Sequence, residues 1–251
     1  MRWLRGFTTY QLVLMGTFLV AWAVLAIKPA TRQFWLLENV LVATFVALAL
    51  ATVRYFRLSD VSYTLITIYL LLHLVGAHYD YNDVPIGDTL GRWVGDDRNH
   101  YDRVVHFSFG LLMAYPMREV FHRVASVRGF WGYSLPLEMI LSLSAVYEIL
   151  EWLVAITISP ESGINFVGSQ GDPWDAIKDM ALAGAGAAIA MAVIAAINWR
   201  YDPGFWREIA ESFRVKNQRP LGEVRLSELI TARRPGRVAP PPAAGGHSDV
   251  S

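Results

Sequence analysis

Three pairs of ionisable residues lie at helical spacing inside otherwise apolar stretches of this sequence. They are Asp102 with His106, Glu148 with Glu151, and Asp175 with Asp179. Residues three or four positions apart share one face of an α-helix, so each pair can present two side chains to one point. Carboxylates and imidazoles bind divalent metals in helical bundles and also act as general acids and bases. The pattern predicts either a metal or substrate site or a buried polar network that only holds helices together.

The stretches that carry these pairs have the length and composition of membrane helices. Of the 251 residues, 54 % are hydrophobic, none is Cys, and basic and acidic residues balance. Crossing the hydrocarbon layer takes about 20 apolar residues, and runs of this kind occur at 10–27, 34–53, 61–78, 101–117, 134–158 and 174–198. We therefore expect an all-α, polytopic membrane helical bundle of about six transmembrane helices. The neutral charge argues against nucleic acid as a partner, and the lack of Cys excludes disulfides.

The basic residues indicate which loops face the cytoplasm, because cytoplasmic loops of membrane proteins are enriched in Lys and Arg. Arginines precede the first run, follow the second and fourth, and recur in the C-terminal tail; those before the tail are Arg2, Arg5, Arg54, Arg57, Arg118, Arg123 and Arg128. The loop 79–100 is mainly acidic and 159–173 has neither Lys nor Arg, whereas Lys28 and Arg32 in the first outer loop depart from the rule. Both termini are predicted to be cytoplasmic.

With this orientation, helices that run in opposite directions place their ionisable residues at one depth. At a rise of ~1.5 Å per residue, Glu148 lies about 20 Å and Glu151 about 25 Å from the cytoplasmic start of the fifth run near Ser134. His73 lies about 18 Å along the third run, and Glu38 is near the outer end of the second. The fourth and sixth runs enter from the outer side and bring the other two pairs into the same half of the bilayer. Charged residues at such depths usually face the bundle interior and are paired or functional.

These positions lead to a candidate site in the outer half of the bundle. We predict a catalytic base and the group that orients it at His106 and Glu151, and metal ligands at Asp102, Glu148, Asp175 and Asp179. The predicted metal is divalent, because oxygen-rich ligands suit Mg²⁺ or Mn²⁺ and a His ligand adds Zn²⁺ or iron. Substrate-binding residues are predicted at His73, Asp80, Arg103, Gln170 and Asp172. Without a metal, some of the carboxyl groups would have to be protonated.

Two local motifs predict where the fourth and sixth helices begin. Asn99 followed by Asp102 resembles a capping box. Asp172 followed by Pro173 predicts an N-cap and a proline at the first helical position. Asp175 would then lie in the first turn, where the helix dipole favours an anion.

At these same residues the sequence resembles a known family. The stretches "NHYDRVVHFSFGLLMAYPMREV", "YEILEWLVA" and "VGSQGDPWDAIKDMALAGAGA" resemble the YjdF-type bacterial inner-membrane proteins in order and spacing, over roughly residues 10–200. The chain is more distantly similar to the VanZ-like proteins, which are associated with teicoplanin resistance. Their pattern has Asp-Lys-x-x-His-Phe, Glu-x-x-Gln and Asp-x-x-x-Asn, where this sequence has Arg103, Glu151 and Asp179 at the Lys, Gln and Asn positions. The resemblance implies a multi-pass protein of the bacterial inner membrane with its polar site on the extracytoplasmic side, and it implies no reaction.

Two classes of function fit these expectations. In the first, a divalent cation at the site binds an anionic lipid or polyprenyl-linked envelope precursor at the outer leaflet, with or without hydrolysis. In the second, the carboxylates belong to a small transporter coupled to protons or cations, although the nearly apolar inner halves of the fourth to sixth runs disfavour a path across the membrane. A non-catalytic membrane scaffold is the third alternative. Enzymatic activity and oligomeric state are left open.

The chain divides into three predicted segments. Residues 1–200 form the transmembrane domain, and the small residues Ala183, Ala187 and Ala190 of the sixth run favour close packing inside the bundle over a dimer contact. Residues 201–217 predict an amphipathic helix on the cytoplasmic surface, whose lipid-facing residues would be Phe205, Trp206, Ile209 and Phe213. Residues 218–251 predict a flexible, largely disordered cytoplasmic tail, rich in Pro, Gly and Ala beyond 233.

Overall fold

The computed structural model describes residues 7–53, 55–157, 169–215 and 223–232. Within these ranges the regular structure is helical. The helices are α1 (Thr9–Leu25), α2 (Arg32–Thr52), α3 (Asp60–Tyr79), α4 (Pro85–Val94), α5 (Tyr101–Val124), α6 (Trp131–Thr157), α7 (Asp175–Tyr201), α8 (Phe205–Glu211) and α9 (Glu223–Ala232), with a 3₁₀ turn at Tyr81–Asp83. The protein is therefore an all-α membrane bundle, as its composition predicts.

Four of these helices are long and apolar enough to cross a membrane, namely α2, α3, α6 and α7. Helix α1 is apolar but has 17 residues, and α5 has 24 residues but is less apolar because charged side chains lie near both of its ends. Each of the six predicted runs coincides with a helix, and α5 continues to Val124, beyond the predicted end at 117. The total of six spans stays a prediction for α1 and α5.

Helix α5 occupies the centre of the bundle, where it packs against α3, α6 and most extensively α7. The contact between α5 and α7 is close because both helices present glycines: a Cβ at Gly110 would overlap the Ala183 carbonyl oxygen, and one at Gly186 would overlap that of Phe107. Ala183 and Ala187 are fully buried beside them. The small residues of α7 therefore pack inside the bundle, as their spacing predicts.

The loop 79–100 contains a helix that hydropathy does not predict. Helix α4 begins with Pro85 at its first turn and ends at Gly95, whose φ of 77° is the left-handed conformation that favours glycine. It packs against the chain that follows it, since a Cβ at Gly91 would overlap the Arg98 carbonyl oxygen. Asn99 Nδ2 holds the helix by donating to the Val84 carbonyl at 2.9 Å and to Asp88 Oδ1 at 2.7 Å. The loop 79–100 is thus a folded layer next to the start of α5.

The starts of α5 and α7 differ in detail from the predicted caps. The N-cap of α5 is His100, without a side-chain capping bond, and Asn99 Oδ1 instead accepts from the Tyr101 N–H at 3.1 Å. Asp172 lies before the N-cap of α7, which is Trp174, and Asp172 Oδ1 accepts from the Trp174 N–H at 3.1 Å. The predicted capping box and N-cap are wrong because each side chain caps a turn just outside its helix. Asp175 is the first residue of α7, as expected.

The C-terminal part of the chain corrects one prediction for a lipid-facing residue. Within the compact unit that ends at Ser212, Phe205 of α8 is buried against Tyr133 with ring centroids 6.2 Å apart. Trp206 is 64 % exposed. From Phe213 onward the chain belongs to a separate unit, in which α9 lies inside the segment predicted to be flexible. The rest of the predicted tail, apart from α9, lies outside the described residues, and its flexibility stays a prediction.

Candidate metal centre

Three of the predicted site residues meet between the two central helices. Asp102 and His106 are one turn apart on α5, and Asp179 is one turn into α7. One ligand atom from each of the three side chains lies within 4.8 Å of the other two, and no side chain is more than 8 % exposed as a residue. The close contact between α5 and α7 places these side chains together, because Asp179 and Gly186 lie two turns apart on α7. Two carboxylates and an imidazole form a set of donors for a divalent metal.

Glu148 on α6 completes the group. Its Oε1 lies 3.4 Å from His106 Nε2, and the same nitrogen is 3.6 Å from Asp102 Oδ1. Glu151 lies one turn further along α6 and is half-buried. The predicted convergence of the fourth, fifth and sixth runs is therefore present in the structure. We call Asp102, His106, Glu148 and Asp179 the acidic cluster.

The acidic cluster lacks directly paired positive charge. Among the described residues, the ion-pair partner of Asp102 and Glu148 is His106, and no Lys or Arg forms an ion pair with either of them or with Asp179. Glu148 Oε1 and Asp179 Oδ1 are buried and accept no hydrogen bond from the described part of the chain. A buried carboxylate is costly without a partner, so the cluster requires either bound cations or protons.

Asp175, a predicted metal ligand, has a different partner. Arg98 Nη2 donates to Asp175 Oδ1 at 2.5 Å, and Arg103 Nη2 lies 3.6 Å from the same oxygen. Arg98 is itself buried. The sequence analysis did not predict Arg98 as a partner of Asp175. A basic residue in the mainly acidic loop 79–100 was the signal that could have suggested this role. Asp175 is therefore an ion-pair partner of arginine in this structure and is set apart from the acidic cluster.

Hydrogen bonds and ion pairs hold the turn 169–172 beside the start of α5. The Gln170 side chain accepts from the Asn99 N–H at 2.9 Å and donates to the Asn99 carbonyl at 3.0 Å and to Asn82 Oδ1 at 2.9 Å. Asp172 Oδ2 accepts from Arg103 Nη2 at 2.7 Å and from Lys178 Nζ at 2.6 Å. The bond from Lys178, followed by the one from the Trp174 N–H, lowers the pKa of Asp172. Three residues predicted to contact substrate, Arg103, Gln170 and Asp172, are thus engaged in contacts that hold this turn in place.

A second set of buried polar side chains comes from α2, α3, α6 and the 3₁₀ turn. Glu38 on α2 accepts from the Tyr147 hydroxyl at 3.1 Å, and its Oε2 lies 3.8 Å from His73 Nε2 on α3. A hydrogen bond of 2.7 Å joins His73 Nδ1 to the Tyr81 hydroxyl. Burial raises the pKa of Tyr81 well above 10. The depth of the ionisable residues pointed to Glu38 and His73, but Tyr81 and Tyr147 were missed because tyrosines are common at membrane interfaces.

The predicted site residue Asp80 lies apart from both groups. It ends α3 with a φ of 58°, two residues after His78, whose carbonyl accepts from the Ala30 N–H of the loop between α1 and α2 at 2.8 Å. Partial burial raises its pKa. Its position fits a role in connecting the end of α3 with the loop between α1 and α2.

A cavity of about 250 Å³ joins the two polar groups. It lies between α2, α3, α5 and α6, and its polar lining includes His73, Tyr81, Asp102, His106 and Tyr147. The Tyr147 and His106 rings contact each other with centroids 5.7 Å apart. The remaining lining is mainly hydrophobic. The arrangement can hold a cation at one end and an apolar group along the rest.

Comparison with known proteins identifies the family of this chain. The family described as "Predicted membrane protein (DUF2238)" matches residues 10–200. The "Inner membrane protein YjdF" of Escherichia coli (strain K12) is 37 % identical over 175 residues, which are 69 % of this chain and 83 % of that protein. No solved structure matches the chain. These findings do not bear on the more distant VanZ-like resemblance, which stays a hypothesis. The matched region spans α1 to α7 apart from the first residue of α1 and the last of α7, and the chain belongs to the YjdF-type family of predicted membrane proteins, DUF2238.

Proposed function

We propose that this membrane protein holds a divalent cation in the acidic cluster and uses it to bind the phosphate of an anionic lipid or polyprenyl-linked envelope precursor. The observation that carries the proposal is the convergence of buried carboxylates from α5, α6 and α7 on one histidine without a basic ion-pair partner among the described residues. A divalent cation supplies the missing charge and accepts all of these donors at once. A phosphate oxygen can then occupy a position on the cation that the protein leaves open.

The spacing of the donors suits a metal after a small contraction. Two ligands on opposite sides of an octahedral ion, each at about 2.1 Å, are roughly 4.2 Å apart. Only one pair among three ligands can take opposite positions, and adjacent ligands are about 3.0 Å apart. The ligand atoms of Asp102, His106 and Asp179 lie within 4.8 Å of one another, so binding requires side-chain rotations that move these atoms by on the order of 1 Å. Two carboxylates with one imidazole suit Mn²⁺ or Zn²⁺, and Mg²⁺ fits with water in the remaining positions.

In this proposal the acidic cluster lies in the outer half of the bilayer, and Glu151 is the carboxyl group next to it that is free to act in a hydrolysis. Asp102 is near the start of α5 and Asp179 near that of α7, and the positive-inside rule puts both starts on the extracytoplasmic side. His106, predicted as the base, belongs to the ligand set here, so Glu151 would take the role of base in a hydrolysis. Hydrolysis is a further step that phosphate binding does not require.

The same features weigh against the transporter alternative. A carrier needs polar groups along a route through the membrane. The apolar side of the cavity is formed by residues such as Ile66, Met113 and Met117, and these pack into the main hydrophobic core of the bundle. The remaining alternative is a membrane scaffold that binds no metal. Measuring the metal content of the purified protein distinguishes this alternative from the proposed function.

The test compares two neighbouring aspartates of α7 by elemental mass spectrometry of the purified protein. Asp175 and Asp179 are one turn apart and 5 % and 2 % exposed, but only Asp179 belongs to the acidic cluster. We expect near-stoichiometric divalent metal in the unchanged protein and in Asp175→Asn, and its loss in Asp179→Asn. Asp175→Asn should instead unfold at a lower temperature, because it leaves Arg98 without its buried carboxylate.

Two results would overturn the proposal. One is the absence of metal from the unchanged protein together with a thermal midpoint that Mg²⁺, Mn²⁺ and Zn²⁺ all leave unaltered. The other is equal metal content in Asp179→Asn and the unchanged protein. Either result would make the acidic cluster a protonated network and would favour the scaffold.

A further inference from the structure

The cavity that ends at the acidic cluster is lined by residues that suit a ligand with both a polar and an apolar part. We propose that it holds the single acyl chain of a phosphate-bearing amphiphile, and that Ser144 donates a hydrogen bond to the carbonyl group that joins this chain to the headgroup. The position of the phosphate rests on the proposed function. The acyl chain and its carbonyl group are inferred independently, from the residues that line the cavity.

The lining of the cavity changes from polar to apolar. The acidic cluster and the group around His73 contribute the polar side. The other side is mainly hydrophobic, and its residues include Phe45, Ile66, Phe109, Met113 and Met117. A molecule with a charged head and a hydrocarbon chain matches this division, whereas a wholly polar solute would leave the hydrophobic side without contacts.

The dimensions fit one chain. A volume of about 250 Å³ exceeds the roughly 150 Å³ of an engineered apolar cavity that holds one benzene molecule. Along α5 the lining extends from Asp102 to Met117, a distance of about 22 Å at 1.5 Å per residue. The cavity is therefore elongated along the helix and has room for one chain, and the flexible methionines at its far side can adapt to different chain ends.

Ser144 indicates how the chain is attached to its headgroup. This residue lines the cavity and is 2 % exposed, and its Oγ has no hydrogen-bond partner among the described residues. A buried hydroxyl without a partner is unfavourable. Ser144 lies one turn of α6 from Glu148, about 6 Å along the helix axis. A carbonyl next to the headgroup would reach this hydroxyl, and a polyprenyl phosphate has no carbonyl to offer.

The carbonyl also explains how such a site could be selective inside a bilayer. Lipid tails are as apolar as the cavity wall, so moving a chain from the bilayer into the cavity gains little by itself. Selectivity must then come from the polar contacts at the Ser144 hydroxyl and at the acidic cluster. The sharpest probes are therefore two lipids that differ in the carbonyl alone.

The experiment measures competition between 1-lauroyl-glycerol-3-phosphate and its ether analogue 1-dodecyl-glycerol-3-phosphate by native mass spectrometry of the full-length protein in detergent. At equal concentrations we expect the ester to exceed the ether in the bound state by about three- to tenfold, the effect of one buried hydrogen bond. Ser144→Ala should bring the ratio to one. It should fold normally, because the hydroxyl makes no hydrogen bond within the described part of the protein.

Matched variants separate the cavity from the helix surface. Ser142→Ala is the control for the hydroxyl, since Ser142 Oγ donates to the Glu138 carbonyl on the same helix. Leu143→Trp should fill the cavity and abolish binding of both probes. Leu153→Trp should not, because Leu153 has nearly the same exposure on α6 (40 % against 38 %) but does not line the cavity.

A second pair of probes keeps this inference distinct from the metal proposal. Monolauroylglycerol and its ether analogue carry no phosphate, so an ester preference that persists with them and with chelator present supports the chain and carbonyl sites even if no metal binds. A ratio near one in the unchanged protein, or a preference that survives in Ser144→Ala, would overturn the role of Ser144. Equal binding by Leu143→Trp and Leu153→Trp would overturn the cavity as the chain site.

Discussion

At the scale of single residues, Asp172 connects the turn before α7 to the start of α5. Its Oδ2 accepts from Arg103 and from Lys178, and these contacts together with the Trp174 N–H lower its pKa below the ordinary 3.8. A carboxyl group whose pKa is lower in the folded state stabilises the fold above its unfolded pKa. This contribution disappears as the pH falls through the folded pKa.

This linkage predicts a pH effect that a single substitution removes. Between about pH 5 and about pH 3, the thermal midpoint of the unchanged protein should fall more steeply than that of Asp172→Asn, which has no proton to gain at this position. Tryptophan fluorescence during heating measures both midpoints. Asp97→Asn changes an exposed acid of the outer loop and should follow the unchanged protein. Parallel curves for Asp172→Asn and the unchanged protein would contradict the role of Asp172.

The sequence was informative about site residues that lie on long helices. The i,i+4 spacing of Asp102 and His106, combined with the depth argument, predicts their convergence with Asp179, and the structure brings these side chains together. The spacing could not separate Asp175 from Asp179, because the difference between them is set by Arg98, which comes from a loop. Partners supplied by loops depend on tertiary structure that no periodicity encodes.

At the scale of elements, the glycines between α5 and α7 control how the acidic cluster is assembled. A Cβ at Gly186 would overlap the Phe107 carbonyl oxygen, whereas one at Gly16 of α1 meets no atom within 4 Å. Asp179 is on α7 and its partners Asp102 and His106 are on α5. Any separation of these two helices therefore widens the cluster.

Gly186→Ala is accordingly expected to destabilise the protein by about 1–3 kcal/mol, the usual effect of overpacking, and to reduce its metal content. Gly16→Ala should leave the metal unchanged and preserve or slightly raise stability, because alanine favours a helix more than glycine does. Thermal unfolding and elemental analysis measure the two effects on the same samples. Equal behaviour of the two variants would show that the close contact between α5 and α7 is not needed.

Hydropathy predicts the long helices well and the folded loop 79–100 poorly. The six apolar runs coincide with α1, α2, α3, α5, α6 and α7 because a helix in lipid must satisfy its own backbone hydrogen bonds. Helix α4 was missed, since Gly87 and Gly91 are weak helix formers. Those same glycines allow close packing against Asn99 and Arg98, so α4 depends on contacts that only the folded loop supplies.

At the scale of the whole molecule, charge is distributed unevenly between the loops at the two ends of α5. Arg57 and Arg128 lie in the described connections between α2 and α3 and between α5 and α6, whereas the loop 79–100 carries five aspartates, Asp80, Asp83, Asp88, Asp96 and Asp97. The acidic cluster lies near the starts of α5 and α7, beside that acidic loop. The orientation of α5 therefore decides which leaflet the proposed lipid would come from.

The absence of Cys from the sequence makes this orientation directly measurable. Single cysteines can replace Asp97 before α5 and Ala125 after it, both of which are exposed, and a maleimide that does not cross membranes reports their side. In intact cells we expect labelling of Asp97→Cys, and of Ala125→Cys only after lysis, because the positive-inside rule places the arginine-rich end of α5 in the cytoplasm. The reverse pattern would move the acidic cluster to the cytoplasmic leaflet and exclude an extracytoplasmic precursor as its ligand. Labelling of both positions in intact cells whose cytoplasmic proteins stay unlabelled would mean that α5 does not span the membrane, which would contradict the predicted six spans.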